Sequence, residues 1–246
     1  MSFAHTAATA WQVPASHPPR LFLGPRRPGR RFEPIAEKLL DDDLVTLSMR
    51  LPHANQGLAV VSEFSGSRGV ADAVAMIAWQ NPVQERISLG LPFLINETEC
   101  SIVAALSPNQ TRTMPHVASR LGMSESQLTR RLRALTQQGH VEQIGSGFRR
   151  ARGLGPVGRS YALEAKVSNW RQGISQALRY STWCDAAAVV LLNEPRNLAD
   201  AKSRCATLGL GLAAKSRWII RPRIGKPNPG LRLAASERFV QQITLL

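Results

Sequence analysis

The segment SYALEAKV, residues 160 to 167, sets a carboxylate and an ammonium two positions apart in an otherwise apolar run. In a β-strand residues i and i+2 share one face, so Glu164 and Lys166 point one way while Leu163, Ala165 and Val167 point the other. On an exposed strand such a pair is a weak surface ion pair. Two more carboxylates interrupt apolar runs upstream: Asp72 in VADAVAMIAW and Glu63 in LAVVSEF. A buried carboxylate needs a partner or a metal, whereas one at a strand edge near a turn needs neither. Downstream, Gln176 and Tyr180 stand at i and i+4, on one face of a helix, with Gln172 before them. Trp170, Ile174 and Leu178 remain to pack that helix on a sheet.

An α/β framework has to position these residues. PIAEKLLDDDLVTLSMRL, from Pro34, predicts a helix with a proline near its start and Asp41 to Asp43 on its wet face. LAVVSEF, the turn SGSRG and VADAVAMIAW predict a hairpin. From Ser160 strands and helices alternate through SYALEAKV, SNWRQGISQALRYSTW, AAAVVLL, NLADAKSRCATL and GLGLAA, which favours parallel pairing in one sheet. Gly209 and Gly211 belong to strand geometry, since neither glycine-rich phosphate loop occurs there with a following helix.

Residues 82 to 155 interrupt this pattern. ETECSIVAAL, TMPHVASRLG and SESQLTRRLRALTQQG predict short helices and HVEQIGSGFRRARGLG a hairpin, a spacing that resembles a winged helix-turn-helix. Val117, Ala118 and Leu121 pack the second helix, Gly122 makes the turn, Ser124 caps the third helix, and Leu128, Leu132 and Leu135 form its buried stripe. The opposite face presents Gln127, Thr129, Arg130, Arg131 and Arg133, residue types that read base edges or bind phosphates. Arg149, Arg150 and Arg152 lie on the wing. Between positions 111 and 152, eight arginines face only Glu125 and Glu142, a local charge of +6. Winged helices also serve as protein-interaction modules.

Composition agrees with an anionic partner. The 246 residues carry 31 Lys and Arg against 17 Asp and Glu, a net charge of +14, and arginine offers a planar, permanently charged fork to phosphate oxygens. Membrane surface is the competing polyanion, but no run of eighteen apolar residues and no basic amphipathic helix with an aromatic face is present. Cys100, Cys184 and Cys205 are odd in number and widely spaced, which indicates neither a disulfide framework nor a zinc motif and fits a reducing cytoplasm. The first residues lack the pattern of a signal peptide. Residues 1–32 read as a disordered basic arm that tracks phosphates or keeps the chain in solution, and Lys215, Arg217, Arg221, Arg223 and Lys226 as a basic tail.

The order of helix, strand, strand with Asp72, strand with Glu-x-Lys, helix with Gln-x-x-x-Tyr and strand resembles the PD-(D/E)xK nuclease superfamily. The elements that carry the resemblance are VAD ending in Asp72, EAK at Glu164 to Lys166, and QALRY at Gln176 to Tyr180, the last similar to the helix motif of the RecB-like branch. Alanine stands where the family usually has proline before Asp72, and 92 positions separate Asp72 from Glu164. The resemblance implies a restriction-endonuclease-like mixed central sheet flanked by helices. That α/β domain would comprise residues 33–81 and 156–246, interrupted by a winged helix inserted at 82–155. It implies Mg²⁺ or Mn²⁺ held by Asp72, Glu164 and the Ala165 carbonyl, with Lys166 orienting the attacking water and Gln176 lining the site. Glu63 and Tyr180 are additional candidates. The expected activity is metal-dependent hydrolysis of DNA, duplex rather than RNA, as in phage defence or DNA repair, with a homodimer as one way to deliver two cuts. The alternative is a non-cleaving DNA-binding or regulatory protein on the same fold.

Overall fold

In this computed structural model, residues 20–22, 40–94 and 96–244 are described. Arg20–Phe22 (β1), from the segment expected to be a mobile arm, instead pairs parallel with Ala59–Val61; the rest of that arm and the start of the helix expected from Pro34 lie outside the described residues. Asp41–Met49 (α1) buries Leu44 and Leu47. Leu58–Gly66 (β2) and Gly69–Ile77 (β3) form the hairpin, in a register that runs from Leu58 opposite Ile77 to Gly66 opposite Gly69.

Ile77 also stands opposite Arg159 on the next strand, so residues 78–158 leave the main sheet and rejoin it at adjacent points. This excursion contains Gln80–Ser88 (α2), Glu97–Ala105 (α3), Arg112–Thr113 (β4), Met114–Leu121 (α4), Glu125–Gln137 (α5), Val141–Ile144 (β5) and Gly147–Arg150 (β6). Local chemistry sets its boundaries. Asn96 caps α3 by accepting the Glu99 N–H, Gly122 ends α4 at φ 63, and Ser124 caps α5 by accepting the Gln127 N–H. Leu128, Leu132 and Leu135 meet Ile102, Val103, Val117 and Val141 in a core of their own, beside an antiparallel sheet in the order β4-β6-β5.

The chain returns through Arg159–Lys166 (β7), Trp170–Tyr180 (α6), Ala186–Leu191 (β8), Leu198–Leu208 (α7), Gly211–Ala214 (β9), Arg217–Ile220 (β10) and Pro229–Thr244 (α8). The main sheet is mixed and seven-stranded among the described residues, in the order β1-β2-β3-β7-β8-β9-β10. β7 runs antiparallel to β3 and parallel to β8, β8 parallel to β9, and β10 turns back. α1 covers one face, over Leu58, Val60, Tyr161, Leu163 and Ala165. α6, α7 and α8 cover the other, over Val61, Val74, Ala162 and Val189. Among the described residues no helix is long and apolar enough to cross a membrane.

α2 and α8 were not expected from the sequence. α8 follows the basic run in which Arg217 turned out to be a strand residue, and it bridges both cores: Phe239, Val240 and Ile243 pack on the sheet, Leu233 and Ala234 on the excursion. Its Glu237 is 1% exposed, pairs with Arg86 of α2 and accepts the Leu94 N–H at 2.9 Å. Removing one partner of a buried pair leaves an uncompensated charge, so Arg86→Ala is expected to cost about 3–5 kcal/mol. The check is a lower urea midpoint at an unchanged slope.

Candidate active site and nucleic-acid interface

The hairpin does not keep one pleat along its length. In β2, Ala59 and Val61 face the α6 side, yet Phe64, which alternation would turn away, faces it too; in β3, Val74 and Met76 share that side with Ala71. The inversion falls at Glu63 and Asp72, which the pairs Ser62–Ala73 and Phe64–Ala71 set opposite each other. Glu63 has φ 51, a left-handed conformation unusual for a residue with a side chain. The pairing register is the same on both sides of this point, so the two strands invert their pleat together and every later side chain turns to the other face. Beyond it the β3–β7 ladder ends, its last pair being Ala73 with Leu163.

Asp72 occupies the fork that results. The Ala165 N–H, which lies beyond the last ladder pair, donates to Asp72 Oδ2 at 2.6 Å. In an antiparallel ladder a residue's N–H and C=O point to the same neighbour, so the Ala165 carbonyl also faces the fork. Glu164 and Lys166 lie on the α6 face as the strand period predicts, 1% and 8% exposed, with Lys166 Nζ 2.9 Å from Glu164 Oε1. Tyr180 Oη is 2.7 Å from Glu164 Oε2 and 2.6 Å from the Val70 carbonyl, its single proton lying between two acceptors. Asp72, Glu164, Lys166 and Tyr180 are therefore brought together, from β3, β7 and α6.

α6 approaches closely because Gly173 carries no side chain: a Cβ there would lie 2.7 Å from Val189 and 3.3 Å from Lys166 Cγ. Asn169 caps this helix by accepting the Gln172 N–H, and its amide donates to the Gln172 side-chain oxygen at 3.3 Å, so Gln172 is exposed at the helix start rather than in the site. Leu178, expected to pack on the sheet, is 37% exposed, and Gly173, Ala177 and Tyr180 fill that face beside Trp170 and Ile174. Gln176 is half-buried, and its Oε1 is buried without a hydrogen-bond partner. Glu63 shares the row of Asp72, but among the described residues no group of three or more His, Cys, Asp and Glu could hold a metal ion. What the fork offers a cation is two carboxylates and one peptide carbonyl. That all-oxygen set fits Mg²⁺, which binds through one or two carboxylates and keeps several waters. The cysteines offer no nucleophile: burial pushes Cys100 and Cys184 up to about 12 and Cys205 up to about 11.

On the excursion, Gln127, Arg130 and Arg133 are exposed along α5 and Arg131 is half-buried; none of the three arginines meets a carboxylate among the described residues. The Thr129 hydroxyl turns back to the Glu125 carbonyl at 2.7 Å and so does not project as a donor. On the wing, Arg149 is paired across the hairpin with Glu142 at 2.5 Å, and burial lowers the pKa of Arg150. The arginines of α5 and the exposed Arg152 of the wing remain available to an anion, whereas Arg149 is already paired.

Comparison with protein-family models, curated proteins and solved structures finds no match to this chain.

The tyrosines report on the site's burial. Tyr180 is pushed well above its ordinary value, first by burial, then by the charge of Glu164, its hydrogen bond with Glu164, and the charge of Asp72; burial also raises Tyr161. These are the only tyrosines in the chain. A raised folded value stabilises the fold below the unfolded value of about 10, and that stability is lost as pH climbs beyond it, because the unfolded chain releases its protons first. The Tyr180 share of the phenolate absorbance is thus expected to be missing through pH 10 in the folded protein and to appear only with unfolding. Titration of both tyrosines near pH 10 with the fold intact would contradict the buried Tyr180–Glu164 contact.

Proposed function

We propose that this chain is a metal-dependent endonuclease acting on duplex DNA, a restriction-endonuclease-like α/β fold carrying an inserted winged helix. The observation that supports it most is the fork, where Asp72 accepts the Ala165 N–H beside Glu164 and Lys166 although 92 positions separate the two carboxylates in sequence. Asp72, Glu164 and the Ala165 carbonyl would hold Mg²⁺ or Mn²⁺. When bound, the cation would supply charge neutralisation at the phosphate and an acidified water. Lys166 directs an ammonium at the same space, where it orients a water or stabilises charge that develops on phosphate oxygens. Tyr180 fixes the rotamer of Glu164, and Gln176 offers its unpartnered amide oxygen from the turn before. α5, with Arg130, Arg131 and Arg133, grips the duplex.

One observation favours a second reading, a non-cleaving DNA-binding protein. Both carboxylate oxygens of Glu164 have partners and the residue is 1% exposed, so Lys166 and a metal ion would compete for one carboxylate. Incubation of supercoiled plasmid with Mg²⁺, Mn²⁺ or EDTA separates the two. The nuclease nicks or linearises DNA in metal alone. Asp72→Ala, Glu164→Ala and Lys166→Ala should each slow it by about 10²–10³-fold or more, with gel-shift affinity retained. A Lys166→Ala protein that cuts at the wild-type rate removes Lys166 from the chemistry, and a folded wild type that binds but never cuts leaves the second reading.

The α5 face has its own test. Arg130→Ala is expected to weaken binding by about 1–3 kcal/mol where the side chain reaches a base edge. Arg149→Ala should change it little, because Glu142 already neutralises that arginine. Unchanged affinity in the triple variant Arg130→Ala, Arg131→Ala, Arg133→Ala would assign α5 to a protein contact.

A further inference from the structure

One edge of the main sheet carries cations that the carboxylate site does not use. The pairings Ala73–Leu163, Lys166–Leu191 and Leu191–Ala214 place the β2–β3 turn, the loop after β8 and the β9–β10 turn at the same end of the sheet as Glu164 and Lys166. Each presents one exposed cation: Arg68, Arg196 and Lys215. None of them has a carboxylate at ion-pair distance among the described residues, whereas Arg217 beside them is already paired with Glu194 at 3.6 Å. Strand order sets Arg68 on one flank of the carboxylate pair and Arg196 and Lys215 on the other. From β3 to β9 there are three inter-strand spacings, about 14 Å. That equals the axial rise of roughly four base-pair steps of B-form DNA.

Both flanking turns are held in place. Lys215 and Ser216 have φ 49 and 55, consecutive left-handed residues where Asn-Gly would be the cheap choice. α1 holds them there: the Ser216 hydroxyl donates to Asp43, and the Ser216 carbonyl accepts from Arg50 Nη1 at 2.7 Å. The strain therefore goes into fixing Lys215 at the edge. The other turn leans on the site itself, since a Cβ on Gly69 would lie 3.5 Å from the Tyr180 ring, and the Ser67 hydroxyl is buried there without a hydrogen-bond partner.

We infer that this edge is a backbone track, along which the phosphates of one DNA strand cross the C-terminal ends of β7, β8 and β9, with Arg68 on one side of Asp72 and Glu164 and with Arg196 and Lys215 on the other. The inference deepens the nuclease reading and rests on it for the identity of the strand, but binding along the edge does not require cutting. The test is fluorescence anisotropy with a labelled duplex in EDTA, over a salt series, using the full chain with Arg130→Ala, Arg131→Ala and Arg133→Ala so that the edge is read without α5. This variant should still bind. Adding Arg68→Ala, Arg196→Ala and Lys215→Ala should lower affinity by about tenfold or more at low salt and flatten the log–log salt slope by about 0.9 for each phosphate no longer neutralised. Lys202→Ala, an exposed cation on α7, should change neither. The track is overturned if the folded α5 variant has no measurable binding, if the edge substitutions leave affinity and slope unchanged, or if Lys202→Ala matches the effect of Lys215→Ala. Plasmid cutting in Mg²⁺ is scored separately: intact edge binding without cutting overturns the nuclease reading alone, and cutting without edge binding overturns the track alone.

Discussion

A left-handed residue in the middle of a strand makes the site possible. Glu63 at φ 51 inverts the pleat of β2, and the inversion passes to its cross-strand neighbour Asp72, so that Phe64 and Ala71 turn onto the α6 side. The hairpin tip then diverges from β7 after Ala73 and leaves the Ala165 N–H without a ladder carbonyl. A buried peptide N–H must be satisfied. The Asp72 carboxylate is the group that does so, and a hydrogen bond to a charged acceptor is stronger than the one it replaces. The break in the sheet and the placing of this carboxylate are thus one feature.

Burial explains why the remaining groups come as a set. Glu164 at 1% exposure is tolerable as a carboxylate only with partners for both oxygens, and Lys166 and Tyr180 provide them. Tyr180 can reach Glu164 only if α6 lies close to β7 and β8, which requires the missing side chain of Gly173. The tip is packed as closely: a Cβ on Gly66 would stand 2.5 Å from the Trp183 ring, and Phe64 packs between Trp183 and Phe239, with ring centroids 5.6 and 6.1 Å away.

Period-two spacing alone placed Glu164 and Lys166 on one face, and period 3.6 alone placed Gln176 with Tyr180, because both pairs sit in elements of regular geometry. The hairpin was legible from SGSRG, but its pleat inversion was not, since glutamate gives no hint of a positive φ where glycine would have given one. α8 was hidden by its own chemistry. Arg232, Ser236 and Glu237 are buried on the face that Leu233, Val240 and Ile243 define, and they break the apolar period that would have announced a helix. Lys215 and Arg217 read as part of a basic tail for a similar reason: Lys-Ser is no turn signal, and the contacts from Asp43 and Arg50 that hold it come from far away in sequence.

α8 also ties the excursion to the tip that carries Asp72. Arg238 pairs with Glu97 at the start of α3 at 2.9 Å and donates to the Ser65 carbonyl of β2 at 3.3 Å, while its neighbour Phe239 packs on Phe64. Leu233 and Ala234, one turn earlier, lie in the excursion's core. The two cores therefore meet along one helix rather than at a linker, and a displacement of α3 would act on β2 within two residues of Glu63. Close-packed interiors transmit such strain instead of absorbing it. The bend that positions Asp72 is accordingly braced from the side that presents α5, although α5 itself makes no part of the carboxylate site.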